Sequence, residues 1–267
     1  MTSREVPGEL TVAAAQINGV PDVQVMADQA REAIAGALAN DADLLLLPEY
    51  AHYYDPRGVP PDAAQPLDGP YVTLLRDLTH GTRLTVIAGI TRPAVDHPLN
   101  TLVAVQAGDV IATYDKVHLY DAFGYRESDH LDRGDASQKG IVTVCGFTVG
   151  LQTCYDLRFP EITRSRVDAG AHIIVSPAAW VAGPSKLHHW RTLLAARAIE
   201  NTVVVLAAGL AGRGVCGNSM IVMPDGTASV TAEKTPDLLV RTITGDQIQQ
   251  ARETNPSLEN RVYGPMS

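Results

Sequence analysis

Aromatic side chains are scarce, 5% of 267 residues, so the chain offers little of the stacking surface that bases would use. Positive charge is short as well. Lys and Arg number 21 against 30 Asp and Glu, the net charge is −9, and no Lys/Arg run exceeds two residues. Neutralising a phosphate backbone takes clustered cations, so nucleic acid is excluded as a partner. No apolar stretch approaches the roughly 18 residues of a membrane span. The opening run MTSREVPGELTVAAAQI has no basic region ahead of an apolar one, so neither export nor membrane insertion is expected and the cytoplasm is the expected compartment. Three cysteines, Cys145, Cys154 and Cys216, form an odd set without CxxC spacing, which argues against a disulfide framework and against structural zinc. What is present, 45% hydrophobic and 19% charged residues, is the composition of an ordinary globular enzyme or binding protein.

Val-, Ile- and Leu-rich runs predict about twelve strands, at 10–17, 43–47, 84–91, 99–106, 110–114, 141–144, 147–153, 172–176, 202–208, 219–223, 228–232 and 238–243. Several, such as LLLL at 44–47 and VVVLAA at 203–208, are apolar at every position, so both faces of their sheets must be covered. Helical spacing covers 22–40, 70–80, 160–170, 186–201 and 245–253, most clearly where Leu187, Trp190, Leu194, Arg197 and Ala198 recur. Hairpin signals at QAGDV, CGF and PDGT mix with these crossovers, which fits an α+β sandwich better than a purely parallel sheet. The Pro-rich stretch 55–70 interrupts no compositional trend and reads as a loop beside a site. One domain spanning 1–267 is expected.

Three apolar strands end in residues able to do chemistry. In LLLLPEY, Glu49 is either a surface loop residue or a carboxylate desolvated by the run before it, and so made a stronger base. In YDKVHLYD, Lys116 is either a solvated lysine or a fixed cation aimed at a developing oxyanion. In VGLQTCYDLRFPE, Cys154 is either a small core residue or a thiol at a strand-to-turn elbow, with backbone N–H groups beyond it as oxyanion donors. Cys145 and Cys216 lack such a setting and read as structural.

Glutamate, lysine and cysteine at three strand ends in that order, together with SPAAW, HHWRTLLAARAIEN and GNSMIVMPDG, resemble the nitrilase superfamily of carbon–nitrogen hydrolases over roughly residues 10–263. CYD followed by RF, and HLYDAFGYRES, resemble its small amidase branch, which contains ω-amidases and deaminated-glutathione amidases; nitrilases proper carry Trp-Glu after the cysteine. The resemblance implies a four-layer α-β-β-α sandwich, a homodimer or higher homo-oligomer, no cofactor and no metal. It implies Glu49 as base, Cys154 as nucleophile, Lys116 and the Tyr155 N–H as oxyanion donors, and a thioester intermediate that water hydrolyses. Glu127 falls where the family places a second glutamate, though closer to the lysine than in some members. GNS at 217–219 replaces the more usual GHS. The expected substrate is a small carboxylic acid amide.

Tyr120, Phe123 and Trp180 are read either as pocket wall or as core, and Arg126 and Lys186 as candidate cations for a distal substrate carboxylate. Arg158 and Glu161 are expected to pair with each other or with Glu200 and lock the elbow. His188 and His189 are adjacent on a helix and point about 100° apart, so they read as packing residues rather than ligands. Rival readings are an N-carbamoyl-amine hydrolase or nitrilase of the same fold, a papain-like thiol hydrolase, and a non-catalytic binding protein. The papain-like reading lacks an imidazole placed for the thiol.

Overall fold

The fully apolar strands are explained by what each of their faces touches in the computed structural model, which describes residues 8–264. Residues 1–7, part of the opening run read for export, and residues 265–267 lie outside the described residues. In strand β1 (Glu9–Gln16), Leu10, Val12 and Ala14 enter one core while Ala13 and Ala15 enter another. β2 (Leu44–Leu46) repeats the division: Leu44 and Leu46 face one way, Leu45 and Leu47 the other. Side chains alternate across a strand, so a leucine at every position means an apolar layer on both sides.

Those layers are built as follows. β1 is followed by α1 (Val23–Ala39), β2 by α2 (Pro70–Thr79), and then come β3 (Thr85–Arg92), β4 (Leu99–Gln106) and β5 (Asp109–Asp115). A two-stranded finger, β6 (Asp121–Ala122) and β7 (Tyr125–Arg126), precedes β8 (Ile141–Val144) and β9 (Phe147–Leu151). Next come α3 (Pro160–Asp168), β10 (Ile173–Val175), α4 (Lys186–Asn201), β11 (Val204–Ala207), β12 (Met220–Val222), β13 (Ala228–Thr231), β14 (Asp237–Thr244) and α5 (Gly245–Thr254). Two six-stranded sheets result, ordered β14-β1-β2-β3-β4-β5 and β13-β12-β11-β10-β9-β8. Each has three parallel strands at its centre, β1-β2-β3 and β9-β10-β11, and antiparallel strands outside. Parallel neighbours need crossovers, and α1, α2, α3 and α4 supply them.

One core lies between the sheets, joining Leu10, Val12 and Ile87 to Val149, Leu151 and Val204. A second seats α1 and α2 on the first sheet through Met26, Ile34, Tyr71 and Leu75. The third seats α4 on the second sheet through Trp190, Leu194 and Ala198. The fold is an α-β-β-α sandwich, as the resemblance implies. Trp190 and Leu194 are fully spent inside the protomer. Asn218, in the unusual GNS, accepts from Arg191 at 2.7 Å and its carbonyl accepts from the Trp190 indole at 2.8 Å, so it anchors α4.

All twelve predicted strands are present, each end within two residues of its expected position; the finger β6–β7 was not foreseen. Its turn, Phe123-Gly124, has φ of 56° and 83°, the paired left-handed geometry of a tight hairpin. Gly89 on β3 is required by a close approach: a Cβ there would sit 2.7 Å from the Cα of Glu49. The 55–70 loop is tied down by His52, which is fully buried with Nε2 3.2 Å from the Ala63 carbonyl and 3.0 Å from the Thr91 hydroxyl. Among the described residues no helix is long and apolar enough to cross a membrane.

Burial lowers the His52 pKa to about 4, so the folded protein holds this ring neutral where the unfolded chain, near the ordinary value of 6.5, takes a proton. The unfolded state therefore binds more protons between those values, and this stabilisation, up to about 3 kcal/mol, is present above pH 6.5 and lost as pH falls towards 4. Urea unfolding across that window should show a shallower pH slope for His52→Gln than for the parent. An unchanged slope would remove His52 from the acid response.

Candidate active site

The ends of strands from both sheets converge on one cavity of about 540 Å³, lined by Glu49, Lys116, Glu127, Cys154 and Tyr155 together with Tyr120, Phe123, Arg158, Trp180 and Lys186 among others. Ligand sites in α/β architectures favour such carboxyl ends, where loops rather than side-chain ladders meet. Glu49 follows β2, Lys116 follows β5, and Cys154 follows β9 by way of Gln152 and Thr153.

Glu49 and Lys116 are each 1% exposed. The Lys116 Nζ lies 2.9 Å from Glu49 Oε1 and 3.0 and 2.9 Å from the two oxygens of Glu127. Glu49 is not left in apolar surroundings, as its flanking leucines imply: Asn100 Nδ2 donates to Oε1 at 2.7 Å and the Ala179 N–H to Oε2 at 2.7 Å. Glu127 also accepts from the Tyr50 hydroxyl and from the Tyr120 N–H, each at 2.6 Å. Burial alone would lower the Lys116 pKa, but the facing Glu127 and Glu49 carboxylates outweigh it and hold it well above the ordinary lysine value. The ammonium is therefore a permanent charge.

Cys154 is buried at the head of a 3₁₀ turn, Cys154–Arg158, that leads into α3. Its φ is +46°, and Tyr50 beside Glu49 has φ +56°. Non-glycine residues in that region cost energy, and such strain concentrates where side chains must be aimed. Burial and the neighbouring Glu49 carboxylate push the Cys154 thiol well above the ordinary cysteine range, only partly offset by Lys116. The resting thiol is protonated. The Tyr155 N–H has no hydrogen-bond partner among the described residues and stands next in the chain after the sulfur.

Trp180 is buried and donates from its indole to the Lys186 carbonyl at 2.9 Å. Tyr120 and Tyr155 meet edge to face at 5.1 Å, and Phe123, 68% exposed, stands at the tip of the finger. Tyr120, Phe123 and Trp180 line the cavity, and the Tyr155 ring joins them. The polar wall differs from expectation. Arg126 is exposed, lies 3.5 Å from Asp129, and does not line the cavity. Arg158 does line it, stacked over Trp180 at 4.9 Å and 3.4 Å from His189 Nδ1; it pairs with neither Glu161 nor Glu200, whose partner is Arg197. Lys186 Nζ donates to the Tyr120 hydroxyl at 2.9 Å and sits 3.2 Å above the Phe123 ring. Among the described residues neither cation has a carboxylate partner. No group of three or more His, Cys, Asp or Glu among them is arranged to hold a metal ion. Asn100, Tyr50 and Asp156 were missed by sequence reasoning; the one available signal was Asn100 beside the apolar run Leu102–Val105 of β4.

A carbon-nitrogen hydrolase family model matches residues 11–253. The chain is 41% identical over 235 residues to a deaminated glutathione amidase of Escherichia coli O157:H7, covering 87% of this chain and 89% of that one. A CN-hydrolase superfamily protein of Xanthomonas campestris shares the fold with a TM-score of 0.86 at 24% identity, over 97% of this chain and 99% of that one. A mutant amidase of Nesterenkonia sp. AN1, showing the result of Michael addition of acrylamide at its active site cysteine, aligns with a TM-score of 0.78 at 26% identity, over 92% and 97%.

Removing Lys116 alone strands two buried carboxylates, a defect that costs about 3–5 kcal/mol. Lys116→Met is expected to lower unfolding stability by that order, and adding Glu127→Gln should recover part of the loss. Equal stability of Lys116→Met and the parent in urea titrations would mean that the cluster is not held by charge.

Proposed function

The chain belongs to the carbon-nitrogen hydrolase family, and from that premise we propose that it is a cysteine amidase that releases ammonia from a small amide bearing a distal carboxylate. The observation that carries this reading is a buried Glu49–Lys116–Glu127 cluster opening onto the same cavity as a protonated thiol on a strained elbow.

With Glu49 and Glu127 ionised and Lys116 charged, the cluster has a net charge of −1, and a free thiolate would double it. Passing the Cys154 proton to Glu49 as sulfur attacks the amide carbon avoids that cost. The carbonyl π electrons move to oxygen, where Lys116 and the Tyr155 N–H receive them. Glu49, once protonated, ceases to hold the ammonium, so Lys116 is freed for the oxyanion at the moment it forms. Collapse breaks the C–N bond, Glu49 returns its proton to nitrogen, and ammonia leaves a thioester on Cys154. Water then gives a proton to Glu49 and attacks the thioester; the departing sulfur takes that proton back and the acid is released. Glu127, fixed by Tyr50 and Tyr120, keeps Lys116 aimed while Glu49 changes charge.

Lys186 and Arg158 support an anionic substrate. Burial, and then the charge on Arg158, lowers the Lys186 pKa, the mark of two cations facing one cavity without a counter-ion. Arg158, and not Arg126, stands with Lys186 in the cavity wall. A cavity of about 540 Å³ suits a substrate larger than a four- or five-carbon amide, which favours deaminated glutathione over α-ketoglutaramate. The chain is read as one domain, 1–267, acting as a cytoplasmic homodimer; family resemblance supports this part.

Ammonia release should be measured from matched amide, nitrile and N-carbamoyl compounds, each with and without a distal carboxylate. The carboxylate-bearing amide is expected to turn over fastest, and Lys186→Met or Arg158→Met should raise its KM about 10-fold or more while sparing the neutral amide, as loss of a charged hydrogen bond does. Faster turnover of the nitrile or carbamoyl member would overturn the amidase reading. Indifference to the carboxylate would remove the anion site.

A further inference from the structure

The spacing between Lys116 and Cys154 has to be maintained between two chain segments that meet from different sheets, and one carboxylate joins them. Asp156 is completely buried. Its Oδ1 accepts from the His118 backbone N–H at 3.0 Å and lies 2.9 Å from His118 Nδ1; its Oδ2 accepts from the Tyr114 hydroxyl at 2.7 Å and from the Thr153 N–H at 3.0 Å. Tyr114 and His118 flank Lys116 on either side. Thr153 precedes Cys154, and Asp156 itself follows it by two residues.

We propose that Asp156 is a positioning residue for the reaction, setting where the Cys154 sulfur stands relative to Lys116 and Glu49. The partners it holds are themselves immobilised. The Tyr114 ring is fully buried under the Arg166 guanidinium at 5.1 Å, and the His118 ring stacks on Phe159 at 3.7 Å and 8°. The elbow needs such a brace because Cys154 sits at φ +46°, a conformation a cysteine leaves when nothing over-determines it. The brace also has its own orientation built in: Oδ1 takes both of its donors from His118, in the segment after Lys116, while Oδ2 spans Tyr114 on β5 and Thr153 beside Cys154. Swinging the carboxylate therefore moves both segments together. Asparagine at this position keeps the shape but has only one accepting oxygen. It can satisfy His118 or the Tyr114–Thr153 pair, never both.

The test is Asp156→Asn, read in two ways so that it does not depend on the amidase reading. The first is the rate of iodoacetamide alkylation of Cys154, resolved from exposed Cys145 by peptide mass spectrometry, so that Cys145 in the same molecule is the internal control. The second is kcat and KM for the best amide, normalised to titrated Cys154. A displaced nucleophile predicts alkylation of Cys154 slowed by about 10-fold or more at unchanged Cys145 rate, and kcat lowered by a similar or larger factor with KM within about threefold. Asp156→Glu, with a longer side chain in a filled site, should not rescue. Parental Cys154 alkylation, or a raised KM at parental kcat, overturns the proposal. If Asp156→Asn does not fold, the double variant Tyr114→Phe with His118→Phe, which removes two side-chain donors and keeps the carboxylate and an aromatic ring at each position, decides by the same readouts. If no amide is turned over by the parent enzyme, the proposed function fails while the alkylation comparison still judges Asp156.

Discussion

The Lys116 ammonium, held between two buried carboxylates, is the interaction on which the site depends. Isolated, any of the three charges would be intolerable at that depth. Together they leave one unit of negative charge, spread over groups that also accept from Asn100, Ala179, Tyr50 and Tyr120. Burial, and then that residual charge, keep the neighbouring thiol protonated, and in the proposed reaction its proton leaves towards Glu49. A thiolate made in advance would be a second negative charge in the same cage. In the proposed reaction the steps are therefore coupled from the start: proton transfer, attack and release of the lysine belong to one event.

The fold's contribution is to bring four strand ends, two from each sheet, to one point and keep them there. Each sheet has its parallel strands at the centre, so the ends of β2, β9 and β10 emerge on the same side, while Lys116 arrives at the end of the edge strand β5. Two of the residues at positive φ, Tyr50 beside Glu49 and Cys154 itself, stand at the delivery points. Gly89 lets β3 pass close beneath Glu49, and Asp156 ties the lysine segment to the cysteine elbow.

The layers were legible in the sequence because LLLL at 44–47 and VVVLAA at 203–208 can be satisfied only between two apolar surfaces. Glu49, Lys116 and Cys154 were legible because each follows a strand and the three in that order match the motifs of the family the chain resembles. What was not legible depends on side-chain direction. Arg158 lies one turn beyond Cys154, and nothing in the sequence says whether it turns to Glu161 or into the cavity. Arg126 was plausible by position but sits on the outer side of a two-residue strand. Asn100, Tyr50 and Asp156 act through hydrogen bonds to residues 51, 77 and 38 to 42 positions away, distances over which spacing carries no signal. The finger β6–β7 is too short for any period to register.

The central claim is that sulfur of Cys154 carries the acyl group between loss of ammonia and attack by water. It is tested most directly by acid-quenching the enzyme during steady turnover of its best amide and measuring intact and peptide masses. The account predicts an adduct equal to the substrate less ammonia, confined to the peptide containing Cys154, absent from Cys154→Ala and discharged when turnover is allowed to finish. Steady turnover in Cys154→Ala, or an adduct on another residue that is competent to form product, would contradict it.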